Sequence, residues 1–483
     1  MIPVLTPDEM AGVDRQAFEP VEVLIERAGF AVARAARQML GGGYGRRVAV
    51  VTGRGNNGAD GRAAARLLER WGVAVSVLDA AGVGGQAGGG QAGGGQIGGG
   101  QVDLVVDAAY GTGLSRPYAP PDPGTAPVLA VDIPSGLCGL TGRPVVDPAT
   151  GAGGAVRAAR TVTFAAYKPG LLLGDGPDHT GVVEVADIGL GPLVEEAAST
   201  WLVTDADVAR LWRPRRRGAH KWQSAVQVVA GSPGMYGAPM LVSRGALRAG
   251  AGYVMVGVPG APPGGGLPPG EYVAHQLPAD EWVDEVTAHL RRVQALVIGP
   301  GLGDPDGIGP HGTGTDSSVA KLLAGASVPT VVDADGLRAL GDLDTAAAVT
   351  KGRQAATVLT PHEGEYARLV GRPPGDDRIG DVRAVAAQTG AVVLLKGSPT
   401  IVASPDGPTL IVNAGSARLA TAGTGDVLSG VIGAFLARGL PALEAAALAA
   451  HCHGRAASQG PAVGLVASDL PDLISGWLSK VTL

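Results

Sequence analysis

The stretch RVAVVTGRGNNGADGRAAARLLERWG, Arg47 to Gly72, decides the architecture. An apolar, β-branched run leads into a glycine loop, and the loop opens directly onto an alanine- and leucine-rich segment that reads as a helix. Strand, tight loop and helix in that order are the unit from which parallel sheets are built. Gly53, Gly55 and Gly58 satisfy the G-x-G-x-x-G dinucleotide fingerprint. Asp79 ends the next strand-like run, VAVSVLD, where a ribose-binding carboxylate would lie in a dehydrogenase. An NAD-dependent dehydrogenase is therefore one reading, and it rests on these four residues.

The same alternation runs through all 483 residues. Strand-like runs read RVAVVT, VAVSVLD, VDLVVDA, PVLAVDI, RTVTFA and VVEVADI in the first part. They read AVQVVAG, YVMVGV, ALVIGP, PTVVDAD, ATVLT and AVVLLK in the second. Helix-like segments separate them, so the expected fold class is α/β with mostly parallel sheets. A chain this long exceeds one ordinary core. Between the two series lies LWRPRRRGAHKW, a basic, proline-interrupted stretch that reads as a connector. The expected division is a domain over 1–192, a connector over 193–223 and a second domain over 224–483.

Bulk properties exclude several classes. A net charge of -6 comes with no basic patch, which argues against nucleic acid and anionic membrane as partners. Cys138 and Cys452 lie far apart without metal-ligand spacing, so neither a disulfide framework nor a zinc site is indicated. The N-terminus, MIPVLTPDEM, has no basic region leading into an apolar one, and no apolar run reaches about eighteen residues. A cytoplasmic protein acting on small molecules, as a homo-oligomer, is the expectation. The segment over 82–101, GVGGQAGGGQAGGGQIGGGQ, holds 12 of the 79 glycines and reads as a flexible surface loop. It cannot bury enough apolar surface to offset the entropy of ordering.

Polar groups of the first part gather at strand ends, where open α/β sheets place ligands. Asn56, Asn57 and Asp60 follow the first strand, Asp107 and GTGLSRP (Gly111 to Pro117) the third, and Asp132 with Ser135 the fourth. Asp107 and Asp132 end apolar runs, positions where desolvation suits a carboxyl group to acid/base work. A lone aspartate there is commonly a turn residue or helix cap; three such loops together favour a site.

GRGNNGADG, VDAAYGTGL, AVDIPSGL and TVTFAAYKPG resemble, in order and spacing, the NAD(P)H-hydrate epimerase domain. The resemblance implies a Rossmann-like three-layer αβα sandwich and a potassium ion held by Asn57, Asp107 and Ser135. It implies that Asn56, Asn57, Gly58, Ala59 and Asp60, with Gly111, Thr112, Gly113, Leu114, Ser115, Arg116 and Pro117, bind the hydrated nucleotide. Asp132 would be the acid/base at C6 of the damaged ring, with Lys168 a second candidate. Ala59 stands where the family has a second glycine, and an alanine is excluded there if the position needs positive φ.

The second part carries AGTGDVLSGVIGAFLARG from Ala422. Gly423, Thr424 and Gly425 open an apolar helix, whose N–H groups can cradle a phosphoryl group while Asp426 takes a proton from an attacking hydroxyl. With GSPGMYGAP, VIGPGLG, VVDADGL, LTPHEGEYARL and LLKGSPT, this stretch resembles the ADP-dependent NAD(P)H-hydrate dehydratase, a member of the ribokinase-like superfamily. That resemblance implies that Ala238, Gly301, Gly303, His362 and Asp426 contact the hydrate. It implies that Lys396, Gly397, Ser398, Pro399 and Thr400, with Gly423, Thr424 and Gly425, serve the adenine nucleotide, ADP, with Mg2+ as counter-ion. No G-x-x-x-x-G-K-[ST] occurs, which excludes a P-loop. His451 and His453, two apart in a helix-like stretch, are assigned no metal. A ribokinase-like kinase with a noncatalytic first domain is the competing expectation, and it would leave a stable phosphorylated product.

Overall fold

The computed structural model describes residues 1–83, 97, 102–262, 267–303 and 314–482. The chain forms two compact units, Ile2–Thr200 and Trp201–Leu483, the second including Met1. Among the described residues no helix is long and apolar enough to cross a membrane.

In the first unit a short strand β1 (Ile2–Val4) precedes β2 (Arg47–Thr52), β3 (Ala74–Asp79), β4 (Leu104–Ala108), β5 (Val128–Val131), β6 (Arg160–Phe164) and β7 (Val182–Ala186). The last six make a parallel sheet in the order β3-β2-β4-β5-β6-β7. The chain leaves β2 for β3 on one side and returns to β4 on the other. A crevice therefore opens beyond the carboxyl ends of β2 and β4, as such a reversal requires. Val48 and Val50 face one core with the helix Val21–Leu40. Ala49 and Val51 face another, with Ala80, Tyr118 and Val156. Among the described residues that second layer contains a short helix, Ala80–Val83, and loops, which suits the proline-rich RPYAPPDPGTAP before β5.

The loop of the fingerprint is tight. A Cβ on Gly58 would lie 2.0 Å from the Gly53 carbonyl oxygen, and one on Gly53 would lie 2.0 Å from that of Ala109. Ala59 sits inside the helix Asn56–Arg70 and has no positive φ, so the alanine is accommodated. Most of the glycine tract over 82–101 lies outside the described residues. Ile97 within it is buried, and its N–H donates to the Asp122 carbonyl at 3.2 Å.

The second unit holds β8 (Thr200–Leu202), β9 (Ala225–Val229), β10 (Tyr253–Pro259), β11 (Val273–Leu277), β12 (Ala295–Ile298), β13 (Thr330–Val332), β14 (Thr357–Leu359), β15 (Val392–Leu395), β16 (Thr400–Ala403) and β17 (Thr409–Val412). They lie in the order β8-β17-β16-β15-β14-β13-β12-β9-β10-β11. Pairing is parallel from β15 through to β11 and antiparallel across β15-β16-β17. The order reverses again between β9 and β12. The stretch over 193–223 is more than a connector: it carries β8 and the helix Asp205–Leu211, which buries Val208 and starts with a capping box from Thr204.

The helix Thr424–Ala437 runs through the core of this unit and is buried at every position from Val427 to Ala437. It packs against the helix Gly237–Arg248 at glycines on both sides. A Cβ on Gly430 would lie 2.0 Å from the Val242 carbonyl oxygen, and one on Gly245 would lie 2.5 Å from that of Val427. Backbone cannot rotate out of the way as a side chain can, so Gly430→Ala should destabilise this unit by at least about 1–3 kcal/mol, the usual cost of overpacking. Urea unfolding of the full chain should show the loss in the second unit's transition and leave the first unit's midpoint in place.

Candidate functional sites

A cavity of about 780 Å³ in the first unit is lined by Asn56, Asn57, Asp60, Gly111 to Arg116, Asp132 and Lys168, together with Asp14. The three strand-end loops thus meet as the sequence suggested. Gly58, Ala59 and Pro117 do not line it. Gly58 is packed onto the Gly53 carbonyl, and Ala59 is part of the helix. Asp79 does not line it either: its carboxylate accepts from the Ala81 N–H at 2.9 Å, a local turn contact.

Lys168 is 1 % exposed, and its ammonium has three acceptors: Asp132 Oδ1 at 2.6 Å, Thr163 Oγ1 at 2.9 Å and the Phe164 carbonyl at 2.9 Å. These are all the hydrogens an ammonium can donate. Asp132 has φ +66°, its N–H donates to the Val162 carbonyl at 2.7 Å, and Thr163 donates to its carboxylate at 3.1 Å. Asp60 is buried, and its carboxyl is pushed up to about 8, chiefly by desolvation and then by the neighbouring charges of Asp132 and Asp14. Burial raises Asp14 as well.

Asp107 is fully enclosed and pushed up by burial to about 6, although the Ser135 N–H donates to it at 2.8 Å. The Ser135 hydroxyl donates to the Tyr110 carbonyl at 3.0 Å. Both polar atoms of the Asn57 amide are buried without a hydrogen-bond partner, which is unusual for an amide and fits an oxygen donor reserved for a bound ion.

In the second unit Asp426 lies in the first turn of Thr424–Ala437, behind Gly423 at φ +87°. Its carboxyl is pushed up to about 6 by burial and by Asp333, with Lys396 pulling the other way. Asp333, just beyond β13, is buried and takes the Lys396 ammonium at 2.5 Å and the Ser429 hydroxyl at 2.6 Å. The Thr424 hydroxyl donates to the Leu419 carbonyl at 2.8 Å, and its N–H donates to the Thr421 carbonyl at 3.4 Å. Gly397 to Pro399 form the turn between β15 and β16, and Thr400 donates to the Gly397 carbonyl at 3.2 Å.

Gly301 and Gly303 have φ of +70° and +92°, and a Cβ on Gly301 would lie 3.0 Å from that of Ala238. The Gly303 N–H donates to Asp335 at 3.0 Å. His362 is an exposed helix cap: its Nδ1 accepts from the Gly364 N–H at 3.0 Å, while Glu365 takes the His362 N–H at 2.9 Å. Two residues of these centres went unassigned in the sequence. Asp333 sits at a strand end in PTVVDAD, under the same rule that singled out Asp107. Asp14 shares a helix face with Met10, and both line the first cavity.

A family model described as NAD(P)H-hydrate dehydratase matches residues 226–479, and one described as YjeF-related protein N-terminus matches 21–84 and 86–170. The bifunctional NAD(P)H-hydrate repair enzyme Nnr of Salinibacter ruber is 36% identical to this chain, over 98% of the chain and 95% of its own length. That of Mycobacterium tuberculosis is 40% identical over 89% and 87%. This chain belongs to the bifunctional NAD(P)H-hydrate repair enzymes. A solved ADP/ATP-dependent NAD(P)H-hydrate dehydratase of Bacillus subtilis, co-crystallised with ATP and Mg2+, is 25% identical over 58% of this chain and 98% of its own, with a TM-score of 0.47. For a member of the repair-enzyme family, the dehydrogenase reading of the opening fingerprint lapses. Its acid is turned away, and Gly53 and Gly58 serve close backbone approaches, to Ala109 and to Gly53 respectively.

The Lys168–Asp132 pair sets a stability prediction for this repair enzyme. Lys168→Met keeps most of the side-chain volume but leaves a largely buried carboxylate without its counter-charge, at a cost of about 3–5 kcal/mol. Equilibrium unfolding at neutral pH should show that loss in the first unit.

Proposed function

We propose that the chain repairs NADH and NADPH that have taken up water at C6 of the nicotinamide ring, by two reactions in series. The first domain, 1–192, interconverts the R and S epimers. The second, 224–483, dehydrates the S form with ADP. The observation that carries this reading is Asp426: a half-desolvated carboxyl at the amino end of a buried, glycine-capped helix, beside a lysine. A carboxylate there can accept a proton while unpaired N–H groups of the first turn face a phosphoryl group.

Asp426 takes the proton of the C6 hydroxyl, whose oxygen attacks the β-phosphorus of ADP and displaces AMP. The phosphate ester then leaves with its C–O electrons. The ring nitrogen supplies the push, C5 gives up a proton, and the dihydronicotinamide returns. Gly425, Lys396 and the turn through Thr400 are the proposed nucleotide contacts, with Ala238, Gly301, Gly303 and His362 around the hydrate. Magnesium, carried with the nucleotide, screens its phosphate charge. In the first domain Asn57, Asp107 and Ser135 would hold potassium through oxygen donors, which suit a hard cation and which the unpartnered Asn57 amide supports. Such an ion supplies electrostatic attraction for an anionic nucleotide. Asp132 is the proposed proton-transfer group at C6.

The test is full-length protein on mixed R and S NADH hydrate with ADP and Mg2+: one AMP and one phosphate should appear per NADH restored. A stable phosphorylated metabolite would instead establish the kinase reading. Asp426→Asn should lower kcat by on the order of a hundredfold or more with nucleotide affinity nearly intact, since Asn keeps the size and can still cap the helix. A loss below about tenfold removes Asp426 from the mechanism.

Dehydration should also depend on pH in a defined direction. The base form of a carboxyl raised to about 6 is lost as pH falls, so kcat should decline below about pH 6 in the wild type. That acid limb should be absent from whatever residual rate Asp426→Asn retains.

A further inference from the structure

The first cavity holds more carboxyl groups than the reaction described so far employs. Asp60 is 8 % exposed and lines the cavity from the first turns of Asn56–Arg70. Among the described residues it has neither an ion pair nor a hydrogen-bond partner. The cation nearest to hand cannot serve it, because the three hydrogens of the Lys168 ammonium are already given to Asp132, Thr163 and Phe164. The other titratable or charged residues on the cavity wall are Asp14 from the helix Pro7–Gln16, then Glu19, Tyr110 and Arg116. Burying a carboxylate without a partner costs far more than burying the neutral acid. One cavity therefore presents an ion-paired carboxylate, Asp132, and an uncompensated carboxyl, Asp60. Environments that separate two acids in this way mark an acid and a base.

Resting on the epimerase reading, we propose that Asp60 is the second proton-transfer residue of this centre, the donor that works opposite the Asp132 carboxylate. In the R to S direction the C6–O bond breaks as the Asp60 carboxyl gives its proton to the departing oxygen. Water leaves, and the ring nitrogen lone pair forms the iminium. A water then adds to C6 from the other face and gives its proton to Asp132. Nothing is oxidised or reduced, one water leaves and one enters, and one proton has passed from Asp60 to Asp132. The S to R direction runs the same steps with the roles exchanged, and proton exchange with solvent resets the pair.

Two measurements on the full-length enzyme test this. Consumption of purified R hydrate, coupled to excess ADP and Mg2+ and corrected for spontaneous epimerisation, is followed as a function of pH. The wild-type rate should fall as pH rises through about 8, where Asp60 surrenders its proton. Asp60→Asn should lose on the order of a hundredfold in kcat with KM for the R hydrate nearly unchanged, and its residual rate should lack the alkaline limb. Infrared difference spectra of the wild type should show a protonated carboxyl stretch at neutral pH that is missing from Asp60→Asn, a readout independent of turnover. Turnover of the R epimer by Asp60→Asn within tenfold of wild type, or a loss confined to KM, overturns the assignment while leaving the epimerase reading intact. Absence of the carboxyl band also overturns it. A wild type inert toward the R epimer overturns both.

Discussion

Lys168 and Lys396 are each drawn down onto an aspartate that closes a strand, Asp132 after β5 and Asp333 after β13. Removing ions of this kind from water costs several kcal/mol each, and the cost is recovered only when geometry and extra hydrogen bonds are good. Both pairs meet that condition: Thr163 supports Asp132, and Ser429 supports Asp333. The Lys168 ammonium has no hydrogen left for a second acid, whereas Lys396 gives one to Asp333 and still draws Asp426 downward. Each unit then holds such an acid at its site, Asp60 in one and Asp426 in the other, and in each, burial is the largest cause of the upward shift. The two shifts differ in extent for a visible reason. Asp60 is buried, whereas Asp426 is half-buried, and although Asp333, Asp335 and Glu365 raise it, Lys396 pulls it down. A carboxyl near 8 is protonated at neutral pH and one near 6 is mostly ionised, which suits the opposite proton transfers proposed for them.

Backbone geometry brings these acids to ligand-accessible edges. In each sheet the chain departs from one strand in both directions, β2 toward β3 and β4, β9 toward β10 and β12, and loops at the resulting crevice are forced apart. Glycine is needed where the loop must then fold back on the sheet. Gly58 against Gly53 does this in the first unit, and Gly299, whose Cβ would lie 1.9 Å from the Asp333 carbonyl oxygen, does it in the second. The loop carrying Gly299 and Gly301 therefore lies directly on the loop that carries Asp333.

How far the sequence could be read depended on the range of the interaction. The buried parallel strands β2, β4, β5, β9, β12 and β15 were visible as apolar β-branched runs, because both faces of each are covered. The edge strand β11 was not, since Val273 and Ala274 are exposed and the run has no apolar face to betray it. Strand β16 was touched only at Thr400, the end of LLKGSPT, and β17 was not read, because the antiparallel pairing of β15 with β16 is set by the turn at Gly397 to Pro399 rather than by hydropathy. Of the site, strand-end aspartates were legible one at a time. What no local pattern contains is which of them a lysine neutralises. Lys168 reaches Asp132 across 36 positions and Lys396 reaches Asp333 across 63, so which aspartate each ammonium takes is fixed only by the fold.

Asp132 shows how strain and charge are joined in one residue. A φ of +66° is costly for most side chains, but Asp and Asn tolerate it because their short polar groups can bond locally. Here the N–H to the Val162 carbonyl fixes the backbone, and the carboxylate is thereby turned onto Lys168 and Thr163. Glycine would accept the same φ and lose the charge; glutamate would keep the charge and add both strain and a methylene. The position is thus constrained twice, by conformation and by electrostatics, and Asn is the substitution that satisfies the first while failing the second. A backbone outlier held by its neighbours in a cavity wall is where function is expected to reside. At Asp132 the strain fixes the direction of the very carboxylate that the buried ammonium meets at 2.6 Å.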